Sequence, residues 1–130
     1  MKYLLTLLLI ISLVSCAREV PPTVENINKI FESKDFTFEY HDKAGSCQSL
    51  SFRHDYLVYK SDQPTVRRTI SYDEVLRINR FIQDIVNIHN DNLRNENNPY
   101  YIIENTAYTT AVFPEYEPKP FSELLKELEL

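Results

Sequence analysis

The 130-residue chain has one glycine, two cysteines, one methionine, three histidines and no tryptophan. A single glycine excludes collagen-like and glycine-linker architectures. It also excludes glycine-rich phosphate loops, which need several positions without a Cβ. Two cysteines cannot staple a disulfide scaffold. Positive charge is short as well: 14 Lys and Arg stand against 19 Asp and Glu, a net charge of −5. A general nucleic-acid binder carries a basic field, so nucleic acid is not an expected partner. What is present suffices for one folded unit. A chain that is 43% apolar and 12% aromatic fills a single core at this length.

The longest apolar run lies at the start. Met1 and Lys2 precede Leu4, Leu5, Leu7, Leu8, Leu9, Ile10, Ile11, Leu13 and Val14. About a dozen residues are too few to span a bilayer, which takes about 20, but they fit the apolar core of a secretory signal. The run ends in Leu13-Val14-Ser15-Cys16. This resembles the lipobox of bacterial lipoproteins: two apolar residues, a small one, then cysteine. The resemblance implies cleavage after Ser15 and diacylglycerol on the Cys16 sulfur, with a further acyl chain on the new amino group. The alternative is an ordinary signal peptide, or an uncleaved anchor, with Cys16 incidental. Two or three chains hold a protein firmly where one is marginal. Ala17 stands where an Asp would favour inner-membrane retention in enterobacterial lipoproteins, so the expected address is the outer membrane. Loss of Lys2 with the signal leaves 13 basic against 19 acidic residues, a charge of −6. A surface of that sign is not drawn to anionic headgroups, so the membrane is a partner through lipid alone.

The expected organisation is therefore a removable signal over 1–15, a lipidated cysteine and tether over 16–23, and one domain over 24–130. Thr23 caps a short helix carrying Val24, Ile27, Ile30 and Phe31 at helical spacing. Phe36, Phe38 and Tyr40 alternate with polar residues, as do Leu50 and Phe52, and Tyr56 to Lys60 is a third β-rich run. Centring the first hairpin on Gly45 sets Phe38 opposite Phe52, Tyr40 opposite Leu50 and His41 near Ser49. Centring the second on His54-Asp55 sets Phe52 opposite Leu57 and Leu50 opposite Tyr59. A fourth strand runs over 65–70. Ser71-Tyr72-Asp73-Glu74 is a capping box opening an amphipathic helix over about 72–89, with Val75, Ile78, Ile82, Ile85, Val86 and His89 on one stripe beside Phe81. Two more strands flank Asn105-Thr106, and a Leu-rich helix ends the chain. The sum is an α+β domain: an antiparallel sheet of about four to six strands, with one amphipathic helix packed on one face and a short C-terminal helix.

Candidate chemistry is sparse. His41-Asp42, His54-Asp55 and His89 with Asp91 pair a histidine with a carboxylate, but adjacent residues on a strand point to opposite faces. His89 reads as a core or helix-end histidine. No zinc spacing, EF-hand, phosphate loop or serine elbow occurs, so neither a metal nor a cofactor is expected. With Cys16 acylated, Cys47 is a lone thiol with no neighbouring His or Lys in sequence to lower its pKa. Tyrosine is the enriched type. Tyr100, Tyr101, Tyr108 and Tyr116 lie around the last hairpin, where strand propensity accounts for some and a contact edge is the alternative use. The order of strands, capped helix, hairpin and terminal Phe121-Ser122-Glu123-Leu124-Leu125-Lys126-Glu127-Leu128 resembles the small emfourin-like inhibitors of thermolysin-type proteases. That resemblance implies an inhibitory module and no particular contact residue. Two functions are carried forward. One is a non-enzymatic binding, inhibitory or assembly module of the envelope, with a protein partner there. The other is a small hydrolase or metal-dependent enzyme using His41 or His54 with Asp42 or Asp55.

Overall fold

Alternation of apolar and polar side chains decides which side of each strand is buried. In the computed structural model, which describes residues 17–33, 35–94 and 97–130, that alternation builds one seven-stranded sheet. The elements in chain order are β1 (Arg18–Glu19), α1 (Val24–Phe31), β2 (Asp35–His41), β3 (Cys47–Arg53), β4 (Tyr56–Lys60), β5 (Val66–Thr69), α2 (Tyr72–Asn87), β6 (Tyr100–Glu104), β7 (Tyr108–Val112) and α3 (Phe121–Glu127). The order across the sheet is β1-β7-β6-β2-β3-β4-β5. The fold is α+β, with more strands than expected and a mixed rather than purely antiparallel sheet. The additional strand is β1, which runs parallel to β7 with Arg18 opposite Tyr108. Its residues had the composition of a tether. They pair because β7 would otherwise be an edge with unmet backbone groups: Arg18 N–H donates to Ala107 O and Val20 N–H to Thr109 O, both at 2.9 Å.

The five inner strands, β7, β6, β2, β3 and β4, each send one set of side chains to the helices. Phe36 and Phe38 of β2, Leu50 and Phe52 of β3, Leu57 of β4, Tyr101 and Ile103 of β6 and Val112 of β7 share one core with Ile27 and Ile30 of α1. Ile78, Phe81, Ile82, Ile85 and Val86 of α2 and Phe121, Leu124 and Leu125 of α3 complete it. Phe38 is its centre, with ring centroids 5.4 Å from Tyr101, 5.9 Å from Phe81 and 5.8 Å from Phe121. All three helices therefore cover the same face. The other face keeps Thr37, Glu39 and His41 of β2, with Cys47, Ser49 and Ser51 of β3, partly or fully open to solvent.

The helix starts follow the sequence. Thr23 Oγ1 accepts the Asn26 amide at 3.2 Å. The capping box at Ser71 forms in both directions, with Ser71 Oγ accepting the Glu74 amide at 3.3 Å and Glu74 Oε1 accepting the Ser71 amide at 3.1 Å. Helix α2 stops at Asn87, two residues before the expected end. Ile88 leaves the helical region at φ −114°, ψ 20°, and His89 turns off the stripe into a bridge with Pro114. Among the described residues, no helix is long and apolar enough to cross a membrane.

The second hairpin has the expected register, with Phe52 opposite Leu57 and Leu50 opposite Tyr59. Its corner is His54-Asp55, and His54 takes φ 57°. The first hairpin differs from expectation by two residues. Phe38 lies opposite Leu50, Phe36 opposite Phe52, Tyr40 opposite Gln48 and His41 opposite Cys47. The loop is Lys43-Ala44-Gly45, closed by Asp42 N–H to Ser46 O at 3.0 Å and Gly45 N–H to Asp42 O at 3.2 Å. Gly45, at φ 86°, is the last residue of a three-residue loop and not its centre. Such loops place the left-handed residue at that position. A slip of two preserves both faces, so the apolar side stays apolar.

Candidate functional site

The register of that hairpin brings together three side chains with metal-binding or catalytic chemistry. Glu39 and His41 are two apart on β2 and share the open face. Asp42 and Ser46 form the last hydrogen-bonded pair of the hairpin, so His41 and Cys47 are a non-hydrogen-bonded pair, whose side chains stand closer. His41 Nε2 lies 3.1 Å from Glu39 Oε2 and 3.7 Å from Cys47 Sγ. One donor atom from each of the three residues falls within 4.8 Å of the others. Glu39 and His41 are half-buried, whereas Cys47 is exposed.

The imidazole is held by a neighbour from the adjacent strand. His41 lies opposite Tyr100, and their rings stack with centroids 4.6 Å apart and planes 3° from parallel. Tyr100 in turn stacks on Phe113 at 5.2 Å. The Arg94 guanidinium carbon sits 4.9 Å from the Phe113 ring centroid, a cation–π contact. Arg94 is steered there by Glu19 at 3.6 Å and Asp91 at 3.5 Å. His41, Lys43, Arg94, Tyr100, Ala111 and Phe113 border a shallow hollow at this end of the sheet.

The contacts of His41 limit what the group does. A Cys-His-carboxylate relay uses the two ring nitrogens separately, one for the nucleophile and one for the orienting acid. Here Glu39 and Cys47 both meet Nε2. Burial and, after it, the Glu39 carboxylate push the Cys47 thiol up, away from the thiolate that a nucleophile needs. The adjacent pairs do not form the dyads considered from the sequence. The Asp42 carboxylate accepts the Ser46 amide at 2.9 Å, serving the loop. His54 and Asp55 are exposed corner residues at the far end of β3, so His41 and His54 lie apart, as the hairpin pattern implied. His89 is a structural residue. Its Nδ1 accepts the Phe113 amide at 2.9 Å, leaving Nε2 to donate to Asp91 Oδ1 at 2.7 Å. That hydrogen bond is the first cause holding the Asp91 carboxyl below its usual range.

The four tyrosines do not form one edge. Tyr100 belongs to the open face. Tyr101 is a core residue at 1% exposure, and its hydroxyl is pushed well above the usual phenol range, first by burial. Burial removes it from any contact surface. Tyr108 packs against the core, and Tyr116 is exposed on the loop before α3. Tyr40 serves that loop too: its hydroxyl donates to Glu117 at 3.3 Å and is pushed up to about 12, first by burial and then by the Glu117 charge.

Sequence reading missed the union of Glu39 and His41 with Cys47. A three-residue loop closed by a left-handed glycine was the available signal, and it gives the observed register. The stack of His41, Tyr100 and Phe113 had no local signal, because it depends on β2 pairing with β6, with His41 and Tyr100 59 positions apart in the chain. Cys16 and residues 1–15 lie outside the described residues. Comparison with protein-family models, curated proteins and solved structures finds no match.

Proposed function

We propose that this chain is a lipoprotein of the bacterial envelope, anchored through acyl groups on Cys16 and acting as a binding, inhibitory or assembly module rather than as an enzyme. The observation that carries the reading is the motif Leu13-Val14-Ser15-Cys16 at the end of a signal-length apolar run. Ala17 in place of Asp favours the outer membrane. The convergence of Glu39 and Cys47 on one nitrogen supports binding over a hydrolytic relay. The inhibitory variant of this reading is the one implied by the resemblance to emfourin-like proteins.

The anchor has a geometric consequence. Arg18 is already hydrogen-bonded into the sheet beside the start of β7, and two residues of chain reach at most about 7 Å. A lipid on Cys16 would therefore hold the body close to the bilayer, with the β6–β7 turn nearest. His41 lies opposite Tyr100, at the other end of β6 from Glu104. Four residues of strand put that end about 13 Å further out. The open-face cluster then lies at the end of the sheet away from the membrane, where an envelope ligand or protein partner can reach it. Labelled palmitate should enter the wild-type chain and pellet with membranes, and Cys16→Ala should abolish both. Equal labelling of Cys16→Ala would refute the anchor.

A further inference from the structure

We propose that Glu39, His41 and Cys47 form a zinc-binding site on the open face of the sheet. This goes beyond the reading above and does not depend on the lipid. A tetrahedral zinc ion with bonds of about 2.3 Å to sulfur, 2.05 Å to nitrogen and 2.0 Å to oxygen sets its ligand atoms about 3.6 Å apart for S–N and about 3.3 Å for N–O. The observed separations are 3.7 Å for Cys47 Sγ to His41 Nε2 and 3.1 Å for His41 Nε2 to Glu39 Oε2. The third edge falls within the 4.8 Å span of the cluster. Two of the three edges therefore already match those of one coordination shell, and the third is bounded by the same 4.8 Å, against about 3.5 Å for a tetrahedral S–O edge.

The donor set selects the ion class. Calcium and magnesium take oxygen ligands. Thiolate with imidazole suits zinc, and a carboxylate beside them disfavours copper(I). The two anionic ligands offset the charge of a divalent ion. Little ordering is left for binding to impose. His41 and Cys47 are fixed by the hairpin pairing, and the imidazole plane is fixed against Tyr100. Three protein ligands leave a fourth position for water or for a group from outside. The exposure of Cys47 and the adjoining hollow give such a group access.

The test uses the full chain in detergent, stripped with a chelator and then titrated with zinc and separately with cobalt(II). The expected result is one ion per chain and a thiolate-to-cobalt charge-transfer band. Loss of an outer-shell partner alone weakens metal sites by 10–100-fold, so Cys47→Ser, His41→Gln and Glu39→Gln should each weaken binding by roughly 100-fold or more. Ser49→Ala, a neighbour on the same face, and Cys16→Ala should leave it unchanged, which separates this site from the lipid anchor. Cys47 is exposed, so Cys47→Ser keeps the core, and an unchanged far-ultraviolet circular dichroism spectrum in that variant verifies it. Zinc affinity no tighter than millimolar would overturn the proposal. So would a cobalt band that survives Cys47→Ser, or one that is lost in Cys16→Ala.

Discussion

Glu74 joins three parts of the fold, and its removal should cost stability in a pH-dependent way. Arg68 lies on β5, the outer strand on its side of the sheet. Its guanidinium meets the Glu74 carboxylate through both nitrogens, at 3.1 and 2.5 Å, and also donates to the Leu128 carbonyl at the end of α3. Glu74 in turn accepts from the Ser71 amide and hydroxyl at the start of α2. The hydrogen bond from Arg68 is the first cause that lowers the Glu74 carboxyl from 4.5 to about 2, with desolvation opposing it. A shift of that size in a dry site would be worth about 3 kcal/mol. The two side chains are 22% and 29% exposed, and solvent screening reduces the figure to about 1–2 kcal/mol. Because the folded value is depressed, this stability is present above the unfolded value of 4.5 and is lost as pH falls through the folded value near 2. Glu74→Gln keeps an oxygen acceptor for the capping box but removes the charge and one acceptor for Arg68, the same two losses that protonating the carboxyl brings. Urea unfolding at neutral pH should show the variant about 1–2 kcal/mol less stable, with the gap closing as the pH falls from about 5 towards 2. A gap that stays constant over that range, or no gap at neutral pH, would refute the reasoning.

Two further substitutions probe backbone and core. His54 holds φ 57° at the β3–β4 corner, so His54→Gly should stabilise the protein by up to about 1 kcal/mol in urea unfolding; a clear loss would show that the ring contributes more than the backbone strain costs. Thr110 is 1% exposed and its Oγ1 has no hydrogen-bond partner. Thr110→Val should therefore leave the thermal midpoint unchanged or raise it, by an equivalent of up to about 1 kcal/mol, since no bond is lost and a desolvated hydroxyl is removed. A fall of several degrees would contradict this.

The legible parts of the fold were those with a local cause. The capping box at Ser71 and Glu74 formed as its spacing requires, and the two-residue corner at His54 fixed the β3–β4 register. The β2–β3 register slipped because Gly45 marks the end of its loop. The apolar pattern could not detect the error, since a slip of two leaves every side chain on its face. Strand β1 left no pattern in two charged residues; the need of β7 for a partner produced it. Two of the three residues of the candidate site were legible by parity, because Glu39 and His41 must share a face. Cys47 was hidden by the same slip of two, which put Ser49 where the thiol stands.

The proposed acyl group on Cys16 would hold the β6–β7 end of the sheet at the bilayer and leave the Glu39, His41 and Cys47 cluster at the far end. An environment-sensitive fluorophore at exposed Thr106, in the β6–β7 turn, and another at exposed Ala44, in the β2–β3 loop, test it in the membrane-bound protein. The account predicts a blue-shifted, lipid-quenched signal at Thr106 only, and its loss in Cys16→Ala. Equal quenching at both positions, quenching at Ala44 alone, or a Thr106 signal that survives Cys16→Ala would contradict it.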